Sequence, residues 1–425
     1  MSSYGSGERT ILHVDVNSAF LSWEAAYRLQ HGASLDLREI PSVVGGDRES
    51  RRGIVLAKSI PAKKFGIKTG EVLWQARSKC PNLVVVPPDY SLYLQCSNAL
   101  MELLSQYTPL LERYSVDECF LDITHSLRGR SPLTIAREIS QRIKNELGFT
   151  VNIGISNNKL LAKMASELEK PDKIHTMFPS EIPEKMWPLQ VNELFMVGRR
   201  TAAKLNMLNI FTIGQLANAS PKFLTAHFKS YGKLLNQFAC GIDDSPVNPY
   251  ASEAKGIGNS TTTPFDVDNE REALLYLLSL VETASSRLRR ANLMAGVVSV
   301  SIRKTDLSFS SHQRRLPVPT DNTESLFKAA SALFKELWDG SPLRHLGVAF
   351  SSLCSDGFYQ ISLFDEGRIL KNKNLDASID AIRTHFGSTA LIRGSFVNSG
   401  IPPLTGGVMD GFPVMAKPAL KGGYR

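Results

Sequence analysis

Three acids in this 425-residue chain stand where acids are costly. Asp117 and Glu118 are adjacent inside the otherwise strand-like run 111–123, and Asp15 comes at the end of the β-branched, apolar run 10–16 (TILHVDV). Carboxylates withdrawn from water beside one another must be paired, protonated or bound to a cation. Two apolar strands lying side by side, each delivering carboxylate, make an oxygen-rich site suited to hard divalent cations such as Mg²⁺. The plainer reading of 115–118 is a hairpin turn whose acids stay in water. A second acid of the same kind, at Asp15, is what favours the site.

The neighbouring elements have to position these groups. After Asp15 a helical pattern runs to about Leu29, with Asn17 or Ser18 able to cap it, and the amides of such a start can hold phosphate oxygens. Residues 54–57 and 83–86 read as short strands. Between them, Lys58, Lys63, Lys64 and Lys68 fall within eleven residues. They form either a solvated helical face or a small cationic subdomain over a triphosphate. Tyr93, Cys96, Leu100, Leu103 and Tyr107 recur at helical spacing, as do Ala136, Ile139, Ile143 and Leu147. Residues 149–155 read as a strand, Ser156-Asn157 as an N-cap, and 158–168 as a helix carrying Lys159 and Lys163. This order predicts an α+β unit, a split βαβ sheet with helices on one face.

Residues 193–217 change in texture. Gly198, Arg199, Arg200 and Lys204 suit a helix-hairpin-helix, whose turn amides hold a DNA phosphate without reading sequence; a plain αα-hairpin is the alternative. Met196 stands where that motif usually has another glycine. The proline-bearing stretch 243–255 marks a domain boundary. Beyond it the strand, helix, strand, strand, helix, strand order predicts a second β-α-β-β-α-β unit. Arg287, Arg289, Arg290, Arg303, Lys304, Arg314 and Arg315 gather near its hairpin and first helix, as a backbone-binding face or as ordinary surface cations. A helix with Leu375, Ile379, Ile382 and Phe386 follows, and the Gly- and Pro-rich end from about Asn398 is expected to be disordered or loosely docked.

The formal net charge of +8 and pI near 9.1 suit an anionic partner, most commonly nucleic acid. With no secretory leader pattern and no apolar run long enough for a bilayer, the chain reads as cytoplasmic and without a membrane partner. Five scattered cysteines, none in a CxxC pair, argue against a disulfide framework or a zinc site.

From about Thr10 to Phe364 the chain resembles a Y-family DNA polymerase, the translesion class. The likeness rests on Asp15, on Tyr114 to Asp122 (YSVDECFLD), on Gly154 to Lys159 (GISNNK) with Ala162-Lys163, and on Ile257 to Thr262 (IGNSTT). It implies a right-hand polymerase with a ferredoxin-like palm (1–22 and 90–178) and small fingers (23–89). A helical thumb with the helix-hairpin-helix (179–245) follows, then a linker (246–254) and a βαββαβ little finger (255–358). Residues 359–425 would hold a clamp-binding peptide and the tail. By position, Asp15, Asp117 and Glu118 would bind two Mg²⁺ ions, or Mn²⁺ in their place, with the Val16 carbonyl assisting. Phe20 falls on the steric gate against a ribose 2′-hydroxyl, and Lys159 on the triphosphate-binding lysine. Ile60 and Lys63 stand where the DNA polymerase IV pattern has Tyr and Arg, so the fingers, with Lys58 and Lys63 as nucleotide contacts, look closer to the DNA polymerase V catalytic-subunit branch. Gln360, Leu363 and Phe364 resemble the peptide that docks on a sliding clamp.

The resemblance implies template-directed, error-prone addition of deoxynucleotides to a primer on template DNA, by two-metal phosphoryl transfer. No second acidic cluster suggests proofreading. One rival is a catalytically silent DNA-binding subunit of a repair complex. Another is a nucleotidyl cyclase, suggested by Gly45-Gly46-Asp47, although Arg48 and Glu49 follow and Asp47 lies in a turn outside the palm order.

Overall fold

Every residue of the first strand, β1 (Ile11–Val16), is buried, and a strand buried on both faces must lie inside its sheet. The structure, a computed structural model, describes residues 9–46, 51, 53–250, 254–355 and 366–404, the side chains of 366–370 excepted. These residues form two compact units, one holding 9–45 and 55–250 and the other holding 46, 51, 53–54 and the described part of 254–404. Among the described residues no helix is long and apolar enough to cross a membrane.

In the first unit, β1 leads into α1 (Ala19–Gln30). Ser18 takes the N-cap position at φ 48°, but its side chain makes no cap bond, and Asn17 is used elsewhere. A small three-stranded sheet follows in the order β3-β2-β4, from β2 (Ser42–Gly45), β3 (Val55–Lys58) and β4 (Val84–Val86). It packs α2 (Ile60–Lys64) and α3 (Leu73–Lys79) onto a short core that includes Val43, Val55, Ala62, Ile67, Leu73 and Ala76. Ser59 starts α2 by accepting the Ala62 N–H at 3.1 Å.

The chain then supplies α4 (Tyr90–Ser105), β5 (Leu111–Arg113), β6 (Glu118–Asp122), α5 (Pro132–Arg142), β7 (Val151–Ser156), α6 (Lys159–Glu167) and β8 (Ile174–Thr176). The sheet order is β5-β6-β1-β7-β8, antiparallel except for β7 with β8. Leu12 and Val14 share a core with Leu100, Ile135 and Ile139. The alternate residues face α6, where His13 lies 2.7 Å from Ser166. The predicted single helical face is therefore incomplete, because α6 covers the other side. Two helix boundaries also move: α5 gives way to one π turn at Ile143–Leu147, and Asn158, not Ser156-Asn157, caps α6.

Five further helices, α7 (Ile182–Lys185), α8 (Arg199–Met207), α9 (Ile213–Asn218), α10 (Pro221–Phe228) and α11 (Ser230–Ala239), share an apolar core with Leu160, Leu161 and Met164 of α6. One helix thus serves both the sheet and this bundle.

The second unit runs β9 (Gly256–Val267), α12 (Glu270–Arg290), β10 (Leu293–Lys304), β11 (Phe309–Thr320), α13 (Thr323–Leu337) and β12 (Leu343–Ser355), as predicted. Its antiparallel order is β11-β10-β12-β9. Val298, Val300, Ile302, Val348 and Phe350 pack against Leu277, Val281, Leu326 and Phe334, leaving the opposite sheet face open. The last helix, α14 (Glu366–Phe386), departs from expectation. Leu375 and Phe386 point outward, and the buried anchor is Asp376, which accepts from Asn322 Nδ2 and the Thr323 amide, both at 2.9 Å. The following stretch is not loosely docked as far as it is described: Phe396 and Ile401 enter the core, and the Leu404 amide donates to Ser279 Oγ at 2.6 Å.

Close packing of α6 onto β7 depends on Gly154, where a Cβ would meet the Ala162 carbonyl oxygen at 1.9 Å and the Ser166 nitrogen at 2.6 Å. Gly154→Ala is expected to cost about 1–3 kcal/mol or more in urea unfolding. An unchanged midpoint would mean that α6 can lift away freely.

Candidate active site

Strand register alone brings two of the acids together. In the antiparallel β1–β6 ladder Asp15 lies directly opposite Glu118, a relation that sets Cβ atoms about 5 Å apart. Asp117 occupies the turn before β6, where Ser115 Oγ accepts the amides of Asp117 and Glu118 at 3.3 and 3.0 Å and donates to Asp117 Oδ1 at 2.7 Å. The Val16 amide donates to the Asp117 carbonyl at 3.1 Å. Asp15, Val16, Asp117 and Glu118 therefore meet at one end of the ladder.

Helix α6 adds a fourth carboxylate, Glu167. One oxygen each from Asp15, Glu118 and Glu167 lie within 4.8 Å of one another. Asp117 stands outside that trio, turned toward Ser115. Two ammonium groups sit on the acids: Lys163 Nζ is 3.0 Å from Glu118 Oε2, and Lys170 bonds Asp15 and, at 2.9 Å, Glu167. The backbone around Lys170 is held from the sheet. Asn152, opposite Asp15 on β7, donates to the Ser166 and Glu169 carbonyls at 2.9 and 2.6 Å, and Asn17 Oδ1 accepts the Asp172 amide at 2.9 Å.

Burial pushes the Asp15 carboxyl up to about 6; Lys170 pulls it down and Glu118 pushes it further up. Burial likewise raises Asp117, helped by Asp15 and opposed by the Ser115 hydroxyl. Burial works against the Lys170 charge, yet Asp15 and Glu167 hold its pKa above the ordinary value. Desolvated acids already drawing in two side-chain cations form a donor set that fits hard divalent cations.

Phe20, at the start of α1, is half-buried and stacks on Tyr93 at 4.4 Å, 8° from parallel. On β3, Lys58 bonds Thr69 Oγ1 at 3.2 Å, and burial together with nearby Lys63 lowers its pKa. Lys63 is exposed, with no ion pair among the described residues. Lys159 is placed against expectation. Both Glu112 carboxylate oxygens take its ammonium at 2.7 Å, and Glu112 Oε2 also accepts the Asn248 amide at 2.8 Å, so Lys159 ties α6 to β5 instead of standing free for a ligand.

Gly198, Arg199 and Arg200 are exposed at the start of α8, and Lys204, in its last turn, donates to the His227 carbonyl at 2.5 Å; the glycine turn precedes that helix and does not join it to α9. Met196 adopts φ 74°, the left-handed conformation a glycine would supply there. In the second unit Arg303 and Arg315 lie on the open sheet face, opposite Phe309 and Val297. Arg314 pairs with Glu336 at 2.6 Å and Lys304 with Asp339 at 2.5 Å. Arg290 is exposed at the end of α12. Arg289 is not a surface cation: it is bound under α14 by Asp380 at 2.6 Å and Asp376 at 3.5 Å. Gln360, Leu363 and Phe364 lie outside the described residues.

Sequence reading missed Glu167, Lys170 and the Asn17–Asn152 pair. The available signal was helical spacing, since Lys163 and Glu167 are four apart and face the same way. Lys170, beyond the helix, left no periodic trace.

Comparison with known families matches residues 14–167 to the impB/mucB/samB family, 254–363 to its C-terminal domain, and 179–210 to the IMS family HHH motif. That last match ends at residue 210, before α9, in accord with the turn placement above. The chain is 49% identical over 385 residues to a DNA polymerase IV of Clostridium acetobutylicum, covering 91% of this chain and 97% of that one. It is 39% identical over 393 residues to one of Acetivibrio thermocellus, covering 91% and 97%. The fold is similar to a solved Y-family DNA polymerase chimera with a TM-score of 0.72 at 24% identity, over 81% of this chain and 99% of that one. Both relatives are named DNA polymerase IV, so the fingers' likeness to the DNA polymerase V branch has no counterpart in these names.

Asp15 offers a test by pH. Its folded value, about 6, lies above the ordinary 3.8, so ionisation costs stability as pH rises through that range, and below it a proton competes with any cation needing the carboxylate. Mn²⁺ affinity, followed by paramagnetic resonance, is expected to be level above about pH 7 and to fall about tenfold per unit below about 6. Affinity unchanged down to about pH 5 would remove Asp15 from the ligand set.

Proposed function

We propose that this chain, which belongs to the impB/mucB/samB family of Y-family DNA polymerases, extends a primer by phosphoryl transfer at the acids of β1 and the β5–β6 turn. It is a DNA-directed DNA polymerase of the error-prone translesion type, acting in damage tolerance. The observation that carries the site is the register pair of buried Asp15 and half-buried Glu118, with Asp117 next to it.

Asp15, Asp117 and Glu118, with the Val16 carbonyl, are the residues to hold two Mg²⁺ ions, for which Mn²⁺ can substitute. Such ions would lower the pKa of the primer 3′-hydroxyl and offset charge on the departing pyrophosphate. The chain's own part is positioning. Lys163 on α6 and Lys170 just beyond it, both beside the acids, are proposed to reach triphosphate oxygens, with Lys159 further off on Glu112; Lys58 and Lys63 add charge from the small sheet. Phe20, held flat by Tyr93, presents a fixed aromatic edge to the sugar. The open face of the second sheet carries Arg303 and Arg315 among Ser299, Ser301 and Gln313, a small, polar, cationic surface suited to a DNA backbone. Gln360, Leu363 and Phe364 are proposed to dock on a sliding clamp, and the cytoplasm is the proposed compartment. A silent DNA-binding subunit has no observation in its favour, since the acids converge as catalysis requires.

Primer extension is the test. Asp117→Ala with Glu118→Ala is expected to reduce extension by about a thousandfold or more while primer-template binding changes less than about threefold. Extension surviving the double change would sink the site assignment. In the same assay, stimulation by clamp is expected to vanish in Leu363→Ala with Phe364→Ala; persistent stimulation removes the docking peptide. Phe20→Ala is expected to raise ribonucleotide incorporation by about tenfold or more, and unchanged sugar selection would place the gate elsewhere.

A further inference from the structure

His13 is fully buried on β1, two residues before Asp15 and on the same strand face. Its ring lies 4.6 Å from that of Phe120. Nδ1 is 2.7 Å from Ser166 Oγ on α6, and Nε2 has no hydrogen-bond partner. Glu118 Oε2 lies 3.9 Å from Nε2.

Proton bookkeeping decides what Nε2 carries. Ser166 has one hydroxyl proton and two acceptors in reach, His13 Nδ1 and the Lys163 carbonyl at 2.8 Å. If the proton goes to the carbonyl, Nδ1 must donate, and a neutral ring would turn its Nε2 lone pair toward the Glu118 carboxylate, which is repulsive. If the proton goes to Nδ1, Nε2 carries hydrogen and points it at an anion. The second arrangement satisfies every group except the carbonyl's spare lone pair.

We propose that His13 is a positioning residue: held by Ser166 at Nδ1, it presents Nε2–H to Glu118 and fixes the orientation in which that carboxylate takes a divalent cation. The inference rests on the cation-binding role of Glu118 argued above. In the protein alone, Lys163 holds Glu118 Oε2 at 3.0 Å. When Lys163 turns to a triphosphate, His13 is the buried donor left beside that oxygen, and a movement of about 1 Å closes the bond. A neighbouring donor of this kind orients a ligand carboxylate and raises metal affinity.

The test compares His13→Gln, whose amide nitrogen can reach the place of Nε2, with His13→Asn, whose amide reaches only the place of Nδ1. Mn²⁺ binding is measured by paramagnetic resonance on the full chain with a dideoxy-terminated primer-template and the matching deoxynucleoside triphosphate, so that Lys163 is drawn off and no turnover enters. His13→Asn is expected to weaken binding about ten- to a hundredfold and His13→Gln less than about threefold. Equal affinities for the two variants would overturn the proposal. If His13→Asn does not fold, Ser166→Ala replaces it: a several-fold weakening supports the proposal, and unchanged affinity overturns it. Glu118→Gln separates the two claims, since Mn²⁺ binding indifferent to that change would defeat the cation site itself and not His13 alone.

Discussion

The chain is organised around negative charge that has been taken out of water. Asp15 is buried in a central strand with Glu118 directly across the ladder, and neither burial nor proximity can be relieved without breaking the sheet. Compensation must come from positive charge brought to the same spot, which explains why α6 lies on this face at all. Its Lys163 and the following Lys170 reach the acids from the side that the sheet leaves open. Gly154 permits the close approach of the helix, and Asn17 and Asn152 pin the backbone from which Lys170 projects. These parts serve one electrostatic requirement.

The second unit solves the opposite problem with similar elements. Its sheet buries one face under α12 and α13 and leaves the other to solvent, so its strands alternate between apolar residues and small, polar or basic ones. Withdrawing an acid from water, as at Asp15, needs a strand covered on both sides. A surface that follows a long anion needs a face with nothing over it.

Local signals in the sequence carried much of this. Asp15, Asp117 and Glu118 stood out because acids inside apolar runs contradict the strand pattern around them. The β-α-β-β-α-β order of the second unit followed from periodicity alone. What the sequence hid was partnership at a distance. Lys159 and Lys163 share a helix and a residue type, yet one is committed to Glu112 on β5 and the other to Glu118 on the neighbouring β6. Arg289 read as a surface cation because its partners, Asp376 and Asp380, come 87 and 91 residues later. The apolar spacing of α14 misled for the same reason, since that helix is anchored by its acids. Asn17, a cap candidate by type, instead closes the Asn152 network.

The docking of α14 and the stretch beyond it extends the second unit past its sheet. Arg393 and Glu282 meet at 2.5 Å, and Phe396 sits in the same core that β12 helps to build. The last strand, α14 and the stretch 394–404 are therefore held to one body, and Glu282, with Arg383 and Arg393 both on it, adds a charge pairing that salt would weaken while leaving the apolar contacts in place.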